Sequence, residues 1–195
     1  MGGTFDPIHH GHLVTAEAAL WQFGLDGVVF VPTGSPWMKT DREVTSPEDR
    51  YLMTVIATAS NPFFSVSRIE VDRSGPTYTI DTLEQLRAEA KEPVELFFIT
   101  GADAMLEILQ WKDPDEVLAN AHFIAATRPG YDLARFESEP GGAMPNVSVM
   151  HIPALAISST DIRRRVREGE PIRYLLPEGV QTYIDKADLY RGGEG

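Results

Sequence analysis

Two histidines three residues apart, His9 and His12, follow a glycine pair within one short stretch, Gly2-Gly3-Thr4-Phe5-Asp6-Pro7-Ile8-His9-His10-Gly11-His12. Glycines let a backbone come close to a phosphate. The apolar residues that follow at helical spacing, Leu13, Ala16, Leu20 and Phe23, predict a helix whose first N–H groups face the same point. Imidazoles at that helix start add donors, so the expected chemistry is the binding of phosphate oxygens. A lone Gly-Gly or a lone histidine reads more simply as a strand-to-helix turn; their density here carries the inference. A second anion-seeking stretch lies near the other end, where Ile157-Ser158-Ser159-Thr160-Asp161-Ile162-Arg163 reads as a capped helix start followed at once by arginines. Positive side chains there oppose the helix macrodipole, and Asp161 offsets only part of this. A bound polyphosphate, met by the Ser159 and Thr160 hydroxyls, backbone N–H groups and the Arg163 guanidinium, resolves the conflict.

Such turns need a frame. Short apolar runs at Val28 to Val31, Phe64 to Ser67, Glu95 to Ile99, Phe123 to Ala126 and Val147 to Ile152 predict strands, and helical patterns lie between them. One helix should begin at Ser46, with Pro47 in the first position and Asp49 completing a capping box; others should run over Ile80 to Ala90 and Ala102 to Gln110. Alternation of this kind predicts an α/β fold, Rossmann-like and doubly wound on a mainly parallel sheet. Ligands of such sheets bind beyond the carboxyl ends of the strands, which draws attention to the loop Pro32 to Lys39 and to Thr100-Gly101-Ala102-Asp103, although Asp103 also suits a helix cap. His122 and His151, inside strand candidates, read as structural, and Pro140 to Pro145 as a surface loop.

Only Met1 stands ahead of the first glycine turn, where a parallel sheet normally supplies a strand of about five or six residues. The expectation is therefore a first strand truncated at the N-terminus, Met1 being an internal methionine of a longer product with apolar, β-branched residues upstream. The 195 residues suit one domain over 1–195, with a small helical C-terminal part at about 158–190.

The net charge of −12 argues against broad nucleic-acid binding, and the one marked basic cluster is Arg163, Arg164, Arg165 and Arg167, with a sparser one at Lys39 and Arg42. No apolar run approaches the length of a membrane span and no signal peptide is recognisable, so a soluble cytoplasmic protein is expected. The absence of cysteine excludes disulfides, thiolate metal sites and cysteine nucleophiles. Oligomeric state, a homo-oligomer included, stays open.

The GGTFDPIHHGH start and the ISSTDIR helix together resemble the two end motifs of the nucleotidyltransferase superfamily. Between them, Gly75-Pro76-Thr77-Tyr78-Thr79-Ile80-Asp81-Thr82-Leu83, Phe98 to Asp103 with Trp111 beyond, Arg128-Pro129-Gly130 and Tyr174-Leu175-Leu176-Pro177 are similar to the bacterial nicotinate-nucleotide adenylyltransferases, nearly the whole chain being covered. That resemblance implies an enzyme joining ATP and nicotinate mononucleotide into deamido-NAD and pyrophosphate. It implies that His9, His12, Lys39 and Arg163 are catalytic, and that Gly3, Thr4, Phe5, Asp6, Gly11, Gly101, Asp103, Ser159 and Thr160 hold ATP. Thr79, Trp111 and Lys112 would meet the nicotinate nucleotide, Trp111 stacking on the pyridine ring. Mg²⁺ would be bound mainly through the ATP phosphates, with no metal site on the protein. The chain departs from the family in its loop, Pro36-Trp37-Met38-Lys39, which keeps the lysine but lacks the second proline and the histidine before it.

Alternatives remain: phosphopantetheine adenylyltransferase, which shares both end motifs but lacks the PTYTIDTL and TRPG segments, and a nucleotide-binding protein without turnover. A metal hydrolase built on His9, His12 and Asp6 is disfavoured, since there is no HExxH pair.

Overall fold

The computed structural model describes residues 1–35, 44–105, 113–127, 146–153 and 155–192. Within them β1 (Gly2–Gly3), β2 (Val28–Pro32) and β3 (Phe64–Val66) form one hydrogen-bonded sheet, and β4 (Phe97–Gly101), β5 (His122–Thr127) and β6 (Val147–His151) form another. Every pairing between these strands is parallel. β1 lies beside β4, close enough that a Cβ on Gly2 would come within 3.3 Å of the Phe98 ring. The side-by-side order is thus 3-2-1-4-5-6, the doubly wound order, whose crevice opens where the direction of winding reverses, at β1 and β4.

β1 extends its pairing with β2 through Met1, whose carbonyl accepts from the Val31 N–H at 2.9 Å and whose nitrogen donates to the Val29 carbonyl at 2.8 Å. β1 has two residues, and the strands are hydrogen-bonded in two sets of three. Successive residues of a parallel strand bond to opposite neighbours, so a strand of two residues cannot ladder fully on both sides. Between the halves lies a cavity of about 780 Å³, walled by residues such as Val29, Leu86, Leu96 and Phe98.

The helices are α1 (His10–Gln22), α2 (Pro47–Thr58), α3 (Thr79–Glu89), α4 (Ala102–Met105), α5 (Pro114–Asn120), α6 (Ser159–Glu168) and α7 (Glu178–Lys186). Ser46 caps α2 as expected, its Oγ accepting the Asp49 N–H at 3.1 Å with Pro47 in the first turn. β4 starts two residues later than its apolar run suggests, at Phe97 and not Glu95. The short α5 was not anticipated, because only Val117 of its residues is buried and no period can show. The Ala102 to Gln110 helix is described as far as Met105; its remainder and the Pro140 to Pro145 loop lie outside the described residues.

Packing explains why the two ends of the chain meet. Phe30 and Met53 from the first half and Ile162, Val180 and Ile184 from α6 and α7 share one fully buried cluster. Each such side chain contributes roughly 1.5–3 kcal/mol on burial. A second cluster, with Ile80, Leu83, Val117 and Phe123, seats α3 and α5 on the β4–β5–β6 sheet. Among the described residues no helix is long and apolar enough to cross a membrane.

Candidate active site

The turn from β1 into α1 is held open by a strained residue. Phe5 has φ of 50°, a left-handed conformation that costs a residue with a β-carbon about 1–2 kcal/mol. Burial of its ring offsets this: the ring meets His12 edge-on at 5.1 Å and Phe30 at 5.8 Å. It also explains Gly3, where a Cβ would lie 2.7 Å from the Phe5 ring. At Gly11 a Cβ would meet the His9 ring at 2.9 Å, so the third glycine of the motif leaves room for an imidazole.

The two histidines stack, ring centroids 3.8 Å apart, with His9 at the N-cap of α1. The His9 backbone N–H donates to Nδ1 of His12 at 3.2 Å. An Nδ1 that accepts in this way leaves the neutral ring's proton on Nε2, so the backbone fixes His12 as an Nε2–H donor. His10 is different. Its backbone N–H donates to the Leu175 carbonyl at 3.1 Å and it does not line the site cavity. His122 and His151 sit in β5 and β6, where each pairs with a hydroxyl of the neighbouring strand, Ser148 at 2.8 Å and Thr127 at 3.0 Å.

The turn from β6 into α6 faces the first one. Ser158 caps α6, its Oγ accepting the Asp161 N–H at 3.1 Å. Ser159 donates to the Pro7 carbonyl at 2.9 Å, and Arg163 donates to the Asp6 carbonyl at 2.6 Å while its guanidinium stands 4.0 Å from Asp6 Oδ2. Arg163 also reaches the Thr160 hydroxyl at 3.4 Å. Arg164 and Arg165 turn elsewhere, into a web with Asp161, Glu168 and Glu170. The four-arginine cluster is therefore not one basic surface.

These turns enclose a cavity of about 380 Å³ lined by Thr4, Phe5, Asp6, His9, Gly11, His12, Gly101, Ser158, Ser159, Thr160 and Arg163. Most of the residues expected to bind a triphosphate are thus brought together, with the N-termini of α1 and α6 at its edge. Gly3 and Thr79 line the larger cavity between the sheets, and Met1 and Thr4 are common to both. The backbone places Asp103 in α4, two residues after Gly101. Lys39, Trp111 and Lys112, with Arg42 and the Arg128-Pro129-Gly130 segment, lie outside the described residues.

Sequence reasoning missed the buried charges beneath this floor. Arg50, 1% exposed, donates to the carbonyls of Thr4, Gly34 and Thr45, each at 2.9 Å, and so ties the turn after β1 to the loop after β2. Burial lowers its pKa and the facing Asp6 carboxylate counters that. The available signal was its place on α2, one turn before Met53 and Thr54 and two before Ala57, a cation on an otherwise buried face. Glu70 accepts from the Thr82 hydroxyl at 2.8 Å, and burial pushes its carboxyl above the ordinary range against the pull of Thr82, Thr77 and the Gly34 N–H. No group of three or more potential metal-ligating carboxylates or histidines converges among the described residues.

Comparison with known proteins agrees with this geometry. A cytidylyltransferase-like family model matches residues 1–165. The probable nicotinate-nucleotide adenylyltransferase of Streptomyces coelicolor is 60% identical over 98% of this chain and 100% of its own length; that of Salinispora arenicola is 61% identical over the same shares. Among solved structures, the nicotinic acid mononucleotide adenylyltransferase of Plasmodium falciparum complexed with NaAD superposes with a TM-score of 0.78, covering 97% of this chain and 94% of that one at 21% identity. That superposition bears out the doubly wound fold, and the sequence identities say more: the chain belongs to the cytidylyltransferase-like enzymes and, among them, to the nicotinate-nucleotide adenylyltransferases.

Proposed function

We propose that the chain transfers the adenylyl group of ATP to nicotinate mononucleotide, forming deamido-NAD and releasing pyrophosphate. The observation that carries this reading is the small cavity in which His12, Arg163 and two helix N-termini converge. Such a site offers donors to phosphate oxygens. The reaction needs no protein nucleophile. The acceptor's phosphate, already anionic at neutral pH, attacks the α-phosphorus; a new P–O bond forms to it while the bond to the β-phosphate oxygen breaks, and pyrophosphate departs with the electron pair. Catalysis then consists of positioning and charge stabilisation.

In this reading His12 Nε2–H and Arg163 hold oxygens of the transferring phosphate, with His9, Ser159, Thr160 and Lys39 on the rest of the triphosphate. Thr4, Phe5, Asp6, Gly3 and Gly11 shape the nucleotide loop, and Gly101 and Asp103 stand by the adenylate ribose. The nicotinate nucleotide lies with its pyridine ring on Trp111 and its carboxylate on backbone N–H groups around Thr79 and Lys112, which bind an anionic carboxylate more strongly than an amide. That the larger cavity holds Thr79 and shares Thr4 with the smaller supports neighbouring seats for the two substrates. Mg²⁺ would be held by ATP phosphate oxygens and water beside these donors, and would supply charge neutralisation there.

The test is pyrophosphate release with ATP and a panel of acceptors: nicotinate mononucleotide, nicotinamide mononucleotide and phosphopantetheine. Turnover with the acid, at least tenfold more efficient than with the amide and absent with phosphopantetheine, is expected. Equal efficiency with acid and amide would make the enzyme dual in specificity, and turnover with phosphopantetheine alone would replace the reading.

A further inference from the structure

The segment that follows α7 reaches back into the nucleotide turn. After α7 the backbone takes left-handed conformations at Asp188, φ 52°, and at Tyr190, φ 64°, which residues bearing a β-carbon avoid. These bend the chain into a hook. It is pinned before the tyrosine by the Leu189 N–H on the Ile184 carbonyl at 3.1 Å, and after it by the Arg191 ion pair with Asp185. At the tip, the Tyr190 hydroxyl donates to Asp6 Oδ1 at 2.8 Å, across 184 residues of sequence.

Asp6 is 1% exposed, and its other oxygen, Oδ2, has no hydrogen-bond partner among the described residues and faces Arg163 at 4.0 Å. Arg163 in turn grips the backbone carbonyl of the same residue. Tyr190 and Arg163 therefore hold one aspartate from two sides, and only Arg163 lines the cavity. We propose that Tyr190 is a positioning residue for adenylyl transfer: by fixing the Asp6 carboxylate it sets the height and orientation of the Arg163 guanidinium over the polyphosphate. This deepens the function proposed above and rests on it. Burial and the adjacent Asp6 charge both raise the tyrosine's pKa, so the phenol keeps its proton and stays a donor throughout the physiological range.

A built-in control exists. Tyr183 makes a similar bond from the same C-terminal region, to Asp49 Oδ1 at 2.7 Å, but its partner belongs to α2 and lies away from the cavity. In the full-length protein, Tyr190→Phe should weaken equilibrium binding of ATP about fivefold and lower kcat/KM for ATP about tenfold, with the acceptor KM unchanged. Tyr183→Phe should lower the melting temperature comparably yet stay within twofold of wild type in both readouts. Because the effect passes through Arg163, Tyr190→Phe added to Arg163→Lys should cost less than twofold more. The proposal is overturned if Tyr190→Phe is within twofold of wild type, if Tyr183→Phe falls as far, or if the full tenfold persists beside Arg163→Lys. A wild-type protein that binds ATP but ignores nicotinate mononucleotide would strike the acceptor assignment alone, and the ATP-binding comparison would still decide the role of Tyr190. A wild type that binds no ATP would overturn both.

Discussion

The turn after β1 and the turn after β6 end in helix starts that border the same cavity, yet they balance their charges differently. In the later turn the balancing is local: Asp161 accepts from Arg164 at 2.8 Å and from Arg165 at 2.7 Å, three and four residues along the same helix, and Ser158 caps that helix from within. In the earlier turn it is tertiary. The buried Asp6 is answered by Tyr190 and Arg163, and the carbonyl of Thr4 by Arg50, all from distant parts of the chain. One turn would keep its charges satisfied as an isolated segment. The other exists only once the C-terminal helices have docked, which couples a complete phosphate site to a complete fold. Preorganisation of this kind is what a reaction driven by positioning requires.

The contrast is broken most severely at Arg50. Arg50→Leu leaves three carbonyls without their donor and Asp6 with Arg163 as its remaining facing cation, and removal of one partner from a buried charge arrangement costs about 3–5 kcal/mol. Thermal and denaturant melts should show a large loss of stability, with activity falling alongside. An unchanged melt would mean that the earlier turn supports itself after all.

His12→Ala separates site from scaffold in the same turn. Loss of a donor that acts on the transferring phosphate should lower turnover at least about a hundredfold, roughly 3 kcal/mol of transition-state stabilisation, while the melt barely moves. His9→Ala should lose a similar factor, and His10→Ala much less, because His10 does not line the cavity. Near-normal turnover of His12→Ala would remove the phosphate assignment.

These two predictions mark where the sequence was legible. Strand positions, the Ser46 cap and the capped start of α6 were readable, because periodicity and capping act over a few residues, whereas the joining of the histidine and arginine turns in one site rested on their resemblance to the paired end motifs of one enzyme family. Arg50, Glu70 and Tyr190 were not, since their partners lie up to 184 residues away and nothing nearby distinguishes them from ordinary charged or aromatic positions. Gly34 belongs with them: a Cβ there would lie 2.0 Å from the Glu70 carbonyl oxygen, a requirement set entirely by a distant backbone. The arginine cluster misled in the other direction. Adjacent in sequence, its members take different faces of a helix, and only Arg163 reaches the cavity.

A milder change probes the seam between the turns. Ser159→Ala removes the hydroxyl that donates to the Pro7 carbonyl, a single hydrogen bond worth about 1 kcal/mol. Stability should fall by about that amount, and kcat/KM for ATP by roughly fivefold if the seam fixes the cavity's width. A stability loss with unaltered kinetics would show that Arg163 alone sets the spacing.

The smallest effect is expected where the charges are densest. Arg164 and Arg165 hold Asp161 below the usual carboxylate range, Arg165 more than Arg164, and Arg164 likewise holds Glu170 down. A carboxylate whose pKa is lowered on folding contributes stability above its unfolded value, and that contribution is lost as pH falls through the lowered one. The pairs are exposed to solvent and screened by salt, however, so their net worth is small despite short distances. Arg164→Ala with Arg165→Ala should therefore shift the melt by about a degree or two at pH 7. That difference should shrink with added salt and vanish as pH drops below the carboxylate range, with turnover staying within about twofold of wild type throughout. A collapse of turnover, with the fold intact, would place these arginines at the polyphosphate and erase the distinction between a self-balanced turn and a tertiary one.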